Sequence, residues 1–422
     1  MNINVNPSKG MRDFAPEEKE IRDYIEGIIV NTYKKDGFQL IETPVVENIE
    51  RLLGSDGGDN LRLIYRILKR GKKLKKSLNR EPIEVDELAD LGLRYDLTVP
   101  LSRFYCNSRG ELPMVFKAMQ VGNVFRAERA QKGRYRSFKQ CDIDIIGDES
   151  KMAEIQLIST TAKALTKLNV KDFVVRINDR RILKNVVVHC GFKIENFENV
   201  CITMDKLDKI GLEGVEKELY KKEYNDVKIK NILNAIANIN DKGMDALTKY
   251  GVEETVIKEI ETVINAINDI REENFEIIFD FTLVRGMGYY TGSIFEISYK
   301  DLGYSIAGGG RYDEMIGNFI GEKIPAIGFS IGFERLANQL IKEKFKVPGD
   351  EKLVMLYDKR DNFASVIKAA DKFRGKNYIV GLYERRNKMG KQLNRLFEQG
   401  YGKFTIFSEI EEEMEISDLN ED

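Results

Sequence analysis

The sequence predicts an α+β fold followed by a smaller α/β domain, and three observations support this prediction. Residues 124–147 read as two apolar segments joined by a basic loop, a pattern typical of a long β-hairpin. Residues 179–270 have an almost entirely helical pattern, after which β-branched and aromatic residues return at 275–300. Strand and helix patterns alternate over 352–422, which favours a largely parallel sheet. The chain has 422 residues, which is enough for two or three domains.

The N-terminal elements are predicted from helical spacing and from proline. Pro16 fits the first turn of a helix whose apolar residues continue to Tyr33, and Gly37 suits its C-terminal cap. Residues 38–46 then read as a strand that Pro44 interrupts, which indicates the edge of a sheet or an interface.

The next segment, residues 54–90, is polar and contains a stretch rich in lysine and arginine at 66–80. This stretch either contacts RNA phosphates or forms a solvated hairpin or loop, and its composition favours the solvated alternative. An alternating run then leads to Pro100, where a strand gives way to a helix. This pattern predicts Asp96 and Thr98 on the same side of a strand.

The rest of the core is predicted from apolar periodicity and from glycine. Glycines at 308–310 lack the spacing of a Walker loop or a dinucleotide-binding loop, so we expect them to let a strand approach a ligand closely. Residues 326–336 read as a strand leading into a helix. The acidic tail after 409 fits at most one more short strand. Other elements are expected at 150–168, 173–178, 180–190, 215–222, 228–239 and 256–270.

Composition excludes several classes of protein. The net charge of −2 means that any contact with nucleic acid must use local basic patches. No apolar run approaches the roughly 20 residues of a membrane span. The single histidine, His189, reads as a general base or, more simply, as an ordinary helix-terminal residue. This scarcity of histidine argues against His-based metal sites and against the Ser-His-Asp and Cys-His triads. Four scattered cysteines indicate reduced thiols in the cytoplasm: Cys106, Cys141, Cys190 and Cys201.

The hairpin carries a resemblance to a known family. Phe125-Arg126-x-Glu128, the loop Gln-Lys-Gly-Arg-Tyr-Arg at 131–136 and Gln140-x-Asp142-x-Asp144 resemble motif 2 of the class II aminoacyl-tRNA synthetases, specifically the histidyl-tRNA synthetases. The segment 326–336 is similar to motif 3, and the helix and strand around Pro44 are similar to motif 1. The similarity runs from Gly10 to about Leu419.

This resemblance implies an architecture. It implies a class II core of antiparallel sheet flanked by helices, formed by 1–178 and 271–345. It further implies a helical insertion domain at 179–270 and a C-terminal α/β domain at 352–422 that resembles an anticodon-binding domain and is shorter than usual. Motif 1 builds the dimer interface in this family, so a homodimer is also implied.

The resemblance also implies ATP-dependent ligation of L-histidine to tRNA(His) through a histidyl-adenylate. ATP and Mg²⁺ are the implied cofactors, with no protein ligands assigned to the metal. The implied catalytic residues are Arg126 on the α-phosphate and Arg285 on its opposite side. The other implied contacts are Glu128 and Phe138 with adenine; Arg134 and Arg335 with the outer phosphates; Asp96, Thr98 and Gln140 with the ammonium and carboxylate of histidine; and Asp144, Tyr290 and Tyr312 with its imidazole.

Other interpretations remain open for single residues and for the whole chain. Asp96 and Asp144 could be strand-end carboxylates paired with arginines, and Tyr290 and Tyr312 could be plain core aromatics. The whole chain could be a histidine-sensing regulatory subunit of ATP phosphoribosyltransferase, although a sensor has no need of two arginines on an α-phosphate. A non-catalytic nucleic-acid binder fits the acidic balance poorly. Three positions depart from the usual family pattern: Ala130, Lys139 and Gly288.

Overall fold

A computed structural model describes residues 4–54, 58–129, 133–272, 274–284, 288–300, 302–410 and 414–419. Its contacts divide the chain into two compact units. The first unit comprises 1–13 and 25–340, and the second comprises 14–24 and 341–422. The helical segment 179–270 therefore belongs to the same unit as the large sheet. The domain boundaries given above remain predictions.

The α-helices of the described residues are, in chain order, α1 Pro16–Lys35, α2 Ile49–Leu53, α3 Gly71–Leu78, α4 Thr98–Ser108, α5 Lys151–Lys167, α6 Arg180–His189, α7 Phe197–Met204, α8 Leu207–Lys221, α9 Asp226–Lys242, α10 Glu254–Ile270, α11 Gly317–Ile320, α12 Phe333–Lys342, α13 Phe363–Arg374 and α14 Met389–Phe397. Helix α1 ends as predicted, because Gly37 adopts a φ of 90° that favours glycine. No described helix has the length and apolar character needed to cross a membrane.

The β-strands of the described residues are, in chain order, β1 Gln39–Leu40, β2 Val46–Asn48, β3 Arg66–Leu68, β4 Ala89–Leu93, β5 Phe116–Phe125, β6 Ser137–Ile146, β7 Phe173–Asp179, β8 Phe275–Phe279, β9 Ser293–Tyr299, β10 Ser305–Arg311, β11 Ala326–Gly332, β12 Glu351–Tyr357, β13 Tyr378–Glu384, β14 Lys403–Ile406 and β15 Ser417–Asp418. The run at 38–46 forms two short strands rather than one. Both lie at sheet edges, as its proline indicated.

In the described part of the first unit, the large sheet has eight strands in the order β1-β5-β6-β11-β10-β9-β7-β8. The six central strands are antiparallel, and β1 and β8 add parallel pairs at the two edges. Helices α5 and α10 pack against the sheet and against each other. This arrangement confirms the predicted antiparallel sheet core flanked by helices.

A second, three-stranded sheet of the first unit has the order β2-β4-β3. It occupies part of the segment predicted as a solvated hairpin or loop, and that segment also contains helix α3. Patterning alone missed these elements because β3 spans three residues and because lysine dominates α3. An apolar cluster of Ile49, Leu52, Ile64, Tyr95 and Val99 lies beneath this sheet.

The second unit contains a four-stranded sheet, among its described residues, in the order β13-β12-β14-β15. Strands β12, β13 and β14 are parallel, and the short β15 is antiparallel, which confirms the predicted largely parallel sheet and its one further strand. Alternate residues of β12 face opposite layers. Leu353 and Met355 pack with α13, whereas Val354 and Leu356 pack with α14.

Candidate functional site

A cavity of about 1180 Å³ lies in the first unit, and β6, β9, β10 and β11 all contribute to its wall. Arg285 lies outside the described residues, so its prediction has no structural counterpart here. The eleven other predicted site residues all line this one cavity: Asp96, Thr98, Arg126, Glu128, Arg134, Phe138, Gln140, Asp144, Tyr290, Tyr312 and Arg335. The structure therefore brings together residues that are up to 239 positions apart in sequence.

Strand β6 gives the cavity three polar side chains in a row. Gln140, Asp142 and Asp144 alternate along the strand and therefore point to the same face. Lys139 points to the other face, where its ammonium pairs with Glu26 of α1 and is not part of the cavity lining. The departure from the family pattern at Lys139 therefore does not change the cavity floor.

Asp144 is held by Tyr312. The Tyr312 hydroxyl donates a 2.7 Å hydrogen bond to Asp144 Oδ1, and both side chains are buried. Burial raises the pKa of Asp144 to about 7, although the bond from Tyr312 acts in the opposite direction. Asp144 is thus not paired with an arginine, contrary to the simpler alternative. Tyr312 donates a hydrogen bond within the cavity lining, so it does more than fill the apolar core.

Glycines make room for these groups. A Cβ atom at position 328 would lie 2.0 Å from Asp144 Oδ1, and one at position 310 would lie 2.9 Å from the ring of Tyr290. A Cβ at position 309 would lie 2.0 Å from the carbonyl oxygen of Gly328 on the neighbouring strand. The glycines at 308–310 line the cavity, and glycine at 310 and 328 permits close packing of the tyrosine and the carboxylate that surround it. Their expected close approach to a ligand stays a prediction.

Asp142 was not predicted as a site residue, yet it takes part in a chain of hydrogen bonds. Gln140 Nε2 donates to Ser330 Oγ over 2.7 Å, and Ser330 is in turn hydrogen-bonded to Asp142. Strand register places Asp142 opposite Ser330 on β11 and opposite Gln120 on β5. Because the amide nitrogen of Gln140 is used by Ser330, its Oε1 remains as an acceptor.

Four acceptor atoms in the cavity lining have no hydrogen-bond partner among the described residues. They are Asp96 Oδ2, Gln140 Oε1, Asp142 Oδ1 and Asp144 Oδ2, and each is buried. Buried polar atoms are normally paired, because an unpaired one costs about 1–3 kcal/mol. Four such acceptors in one cavity fit a ligand that brings several N–H donors.

The three carboxylates also interact through charge. Burial raises the pKa of Asp96 to about 6, with Arg126 acting in the opposite direction. Burial, followed by the charge of Asp144, raises the pKa of Asp142 well above its ordinary value. Three ionised carboxylates in one buried cluster repel each other, so this cluster favours partial protonation. A cationic ligand would relieve this repulsion.

Asp96 and Thr98 reach the cavity in a different way from the one predicted. Strand β4 ends at Leu93 and α4 begins at Thr98, so the two residues do not share a strand face and that prediction was wrong. Asp96 Oδ1 accepts a 3.1 Å hydrogen bond from the Val99 amide in the first turn of α4. Asp96 therefore precedes Leu97, the N-cap residue of α4, and its carboxylate accepts from one of the free amides of the first turn, which need acceptors.

A buried network fixes the segment before this helix. Arg94 donates to the carbonyl oxygens of Asn123 and Thr43 over 2.9 and 2.8 Å. Gln120 donates to the Leu97 carbonyl over 2.8 Å and accepts from the Thr43 hydroxyl over 2.9 Å. These bonds join the segment that carries Asp96 to β5, the other strand of the long hairpin.

The basic side of the cavity begins at the end of this hairpin. Arg126 Nε donates to the Tyr95 carbonyl over 3.0 Å, and its guanidinium carbon lies 5.1 Å from the centre of the Phe138 ring. A guanidinium nitrogen of Arg134 lies 3.3 Å from a carboxylate oxygen of Glu128, and the Arg134 side chain is half exposed. Arginine suits oxyanions here because its planar fork holds two oxygens and keeps its charge.

Arg335 approaches from the helix of the third motif. It is in the first turn of α12 and donates a 2.7 Å hydrogen bond to the Ser305 carbonyl. Its guanidinium carbon lies 5.1 Å from the ring of Tyr304, which also lines the cavity. The cavity therefore has an arginine-rich part and an acidic part, as a ligand with an anionic and a cationic end would require.

Other lining residues were not predicted from the sequence. The alternation in Gln-Cys-Asp-Ile-Asp would have identified Asp142, since it lies between two predicted residues of the same face. The ring centres of Tyr289 and Tyr290 are 4.8 Å apart. The position of Tyr289 next to the predicted Tyr290 is the sequence feature that would have identified it. Ser330 and Asp205, the latter from the helical segment, gave no local signal because only the fold brings them to the cavity.

Two further observations concern metals and histidine. No group of three or more histidine, cysteine, aspartate or glutamate side chains that could hold a metal ion occurs in the described residues. His189 is the last residue of α6, as the simpler interpretation held, and its ring lies 5.6 Å from that of Tyr250. It is not part of the cavity lining.

Comparison with known proteins decides the family. The sequence profile described as histidyl-tRNA synthetase matches residues 10–336. The chain belongs to the histidyl-tRNA synthetase family. Among curated members, the histidine–tRNA ligase of Leifsonia xyli subsp. xyli is 41% identical over 414 residues, which cover 95% of each chain. That of Christiangramia forsetii is 35% identical over 405 residues, covering 91% of this chain and 88% of the relative.

Solved structures agree with this membership of the histidyl-tRNA synthetase family. The histidyl-tRNA synthetase from Nostoc sp. PCC 7120 matches 99% of this chain and 95% of its own, with a TM-score of 0.78 and 28% identity. The ATP phosphoribosyltransferase regulatory subunit/histidyl-tRNA synthetase from Bacillus halodurans matches 97% of this chain and all of its own, with a TM-score of 0.76. At 19% identity the latter match shows the fold alone, so the sensor alternative has less support than the synthetase.

Proposed function

We propose that this chain ligates L-histidine to tRNA(His), using ATP and passing through a histidyl-adenylate. The observation that carries this proposal is the single cavity in which unpaired buried acceptors and an arginine-rich part occur together. Membership of the family and the chain's similarity to histidine–tRNA ligases support the same reaction.

The acidic part of the cavity is the proposed histidine pocket. Asp96, Thr98 and Gln140 would take the ammonium and carboxylate, while Asp144, Tyr290 and Tyr312 would face the imidazole. Histidine brings N–H donors at both ends, which matches the unpaired acceptors. An amino acid without a ring N–H would leave a buried acceptor unpaired, and sites of this kind discriminate strongly.

The arginine-rich part is the proposed ATP site. Arg126 would bind the α-phosphate, with Arg285 on its opposite side, and Arg134 and Arg335 would bind the outer phosphates. Glu128 would contact the adenine end. The ring of Phe138 would stack on the base, and the guanidinium of Arg126 lies beside that ring.

In the first step, an oxygen of the histidine carboxylate attacks the α-phosphorus. The new bond joins these two atoms, the bond to the β-phosphate oxygen breaks, and pyrophosphate leaves with the electron pair. Both partners are anionic, so the protein contributes mainly by positioning them and by neutralising the charge that develops. In the second step, a hydroxyl of the terminal ribose of tRNA attacks the histidyl carbonyl carbon. The bond from this carbon to the phosphate oxygen breaks, AMP leaves with the electron pair, and the hydroxyl proton is released, so the products are histidyl-tRNA, AMP and a proton.

Class II synthetases generally use Mg²⁺ with ATP, and the cavity is compatible with this. Mg²⁺ needs only one or two protein carboxylates when phosphates and water supply its other ligands, so the lack of a larger cluster among the described residues is no obstacle. The glutamates of the cavity lining that could serve are Glu128, Glu296 and Glu334. When bound, the ion would offset the charge of the phosphates.

We also propose a homodimer in the cytoplasm. The strands of motif 1 expose the apolar side chains Leu40 and Val46, and Val45 beside them is 39% exposed. Exposed apolar side chains at two sheet edges fit an interface with a second copy. The four cysteines are unpaired thiols, as expected for a reducing compartment.

The decisive experiment is histidine-dependent exchange of pyrophosphate into ATP by the purified chain without tRNA. We expect exchange with histidine and not with other amino acids. Histidine binding without any exchange would instead identify a sensor, and the search for a phosphoribosyltransferase partner would follow.

A further inference from the structure

Helix α3 belongs to the most basic segment of the chain. Residues 66–80 contain eight lysine and arginine residues and no aspartate or glutamate, whereas residues 81–90 contain five acidic residues. The whole stretch 66–90 therefore carries a net charge of +3, although the full chain carries −2. The charge is concentrated locally, as contact with a polyanion requires in an acidic protein.

The two faces of α3 differ sharply. Lys72, Lys75 and Lys76 have the spacing i, i+3 and i+4, so they share one face, and all three are exposed. The opposite face carries Leu74, which is half-buried, and Ser77, which is buried and donates a 3.3 Å hydrogen bond to the carbonyl oxygen of Glu87. Helix α3 is therefore anchored to the protein through Leu74 and Ser77, and its opposite, lysine-bearing face is exposed to solvent.

The neighbouring carboxylates neutralise other cations of the segment. Arg66 pairs with Asp86 and Arg80 pairs with Glu87. Lys73 lies 3.8 Å from Asp90. Within the described residues, no carboxylate forms an ion pair with the three lysines of the outer face.

One pair of these lysines lowers the stability of the isolated helix. Lys72 and Lys76 are like charges at i and i+4, which destabilise a helix by a few tenths of a kcal/mol, and Lys72 in the first turn opposes the helix dipole, whereas Lys75 and Lys76 in the last turn complement it. Asp86, Glu87 and Asp90 of the same segment pair with other cations. An anionic partner on the lysine face would offset the repulsion between Lys72 and Lys76.

Helix α3 is also connected to the rim of the cavity. It lies in the connection between β3 and β4, at the far end of this hairpin from Leu63 and Leu93. Leu63 lines the cavity, and its carbonyl accepts a 2.7 Å hydrogen bond from Ala127 in the motif 2 loop. At about 3.4 Å per strand residue, the helix begins roughly 10–20 Å along the hairpin from this rim.

We propose that the outer face of α3, formed by Lys72, Lys75 and Lys76, binds the phosphate backbone of tRNA. This inference rests on the proposed function, which requires the 3′ end of tRNA to enter the cavity. The adjoining RNA would pass the hairpin that carries α3. Lysine ammonium groups act as point charges for phosphates and need no particular base, so the contact would be independent of sequence.

The test uses the full-length chain with the triple substitution Lys72→Gln, Lys75→Gln and Lys76→Gln, because glutamine keeps helix propensity. The matched control is Arg66→Gln with Arg80→Gln, which removes cations that already have acidic partners. A third variant with arginine at the three lysine positions retains the charge. Each is assayed for tRNA dissociation constant from 50 to 200 mM KCl, and for histidine-dependent pyrophosphate exchange.

We expect the glutamine triple variant to bind tRNA about tenfold or more weakly at low salt, and its log–log salt slope to decrease by about 2–3. The control pair should stay within about threefold of wild type, and the arginine variant should retain binding. Exchange without tRNA should be unchanged in all three. Unchanged tRNA affinity and salt slope in the glutamine variant would overturn the proposal, as would a loss of binding in the arginine variant. Wild-type protein without exchange would instead contradict the proposed function.

Discussion

Replacing Asp144 with asparagine should make the empty protein more stable while impairing histidine binding. Asparagine has nearly the same shape and can still accept the hydrogen bond from Tyr312. It removes a buried carboxylate that has one oxygen without a hydrogen-bond partner among the described residues and that interacts through charge with Asp96 and Asp142. The cavity therefore holds a charge that benefits the ligand complex and destabilises the empty fold.

The sign and size follow from proton linkage. The pKa of Asp144 is raised to about 7 from an ordinary value of 3.8. Well below pH 3.8 the carboxyl is protonated in both the folded and the unfolded chain. As the pH rises, the unfolded chain ionises first, so the free energy of unfolding falls until the folded carboxyl ionises near pH 7. The total loss is at most about 4 kcal/mol, of which about 3 kcal/mol falls between pH 5 and pH 8.

The assay compares thermal unfolding of wild type and Asp144→Asn at pH 5 and pH 8 without ligand. Because the chain has two compact units, the midpoint of the transition that responds to histidine is the quantity to follow. The advantage of the variant should grow by about 5 °C between the two pH values. Asp269→Asn, an exposed substitution on α10, is the matched control and should show no such growth.

The same variant should bind histidine about 10- to 100-fold more weakly, since a hydrogen bond to a charged group contributes about 1.5–3 kcal/mol. Calorimetric titration with histidine measures this. A variant that gains no stability between pH 5 and pH 8 would refute the linkage argument. One that keeps wild-type affinity would refute the assignment of Asp144 to the ligand.

Three further predictions test the surroundings of the cavity. Gly328→Ala should raise the KM for histidine in pyrophosphate exchange by about tenfold or more, because the new Cβ would displace Asp144. Gly332→Ala is the control and should not raise this KM, because the nearest atom to its Cβ, the carbonyl oxygen of Ile306, is 3.4 Å away. Equal effects of the two substitutions would contradict the steric argument. Glu154→Gln should lower the free energy of unfolding, measured in denaturant, by about 3–5 kcal/mol, because Arg311 would lose its buried ion pair of 2.7 Å. A loss below about 1 kcal/mol would contradict this prediction. Lys139→Met should leave kcat/KM for histidine within about threefold of wild type, because this side chain faces away from the cavity, and a larger change would place it in the site.

Much of the fold follows from local sequence pattern. The long hairpin of β5 and β6, helix α5 and the alternating elements of the second unit form at or near the predicted positions. These elements are long, or strictly periodic, so the burial of one face determines each of them. The short β3 and the lysine-rich α3 were missed, because three residues carry no period and a solvated helix buries only one narrow side.

The chemistry of the site was also readable to a large degree. Gln140 and Asp144 belong to one strand with period 2, and Arg126 follows from the end of its partner strand, so the motif itself places them near each other. The segment with Asp96 and Thr98 was misassigned. A strand and a helical cap both present polar groups at short spacing, and only the hydrogen bond to Val99 distinguishes them.

The sequence by itself determined the element types, the family resemblance and the residues that define a motif, because each depends on neighbours along the chain. Only the tertiary structure decided which acceptors remain unpaired, how Ser330 connects Asp142 with Gln140, and why Lys139 stays out of the cavity. These properties depend on strand register and on burial. Both are set by contacts between segments far apart in sequence, and no local pattern contains them.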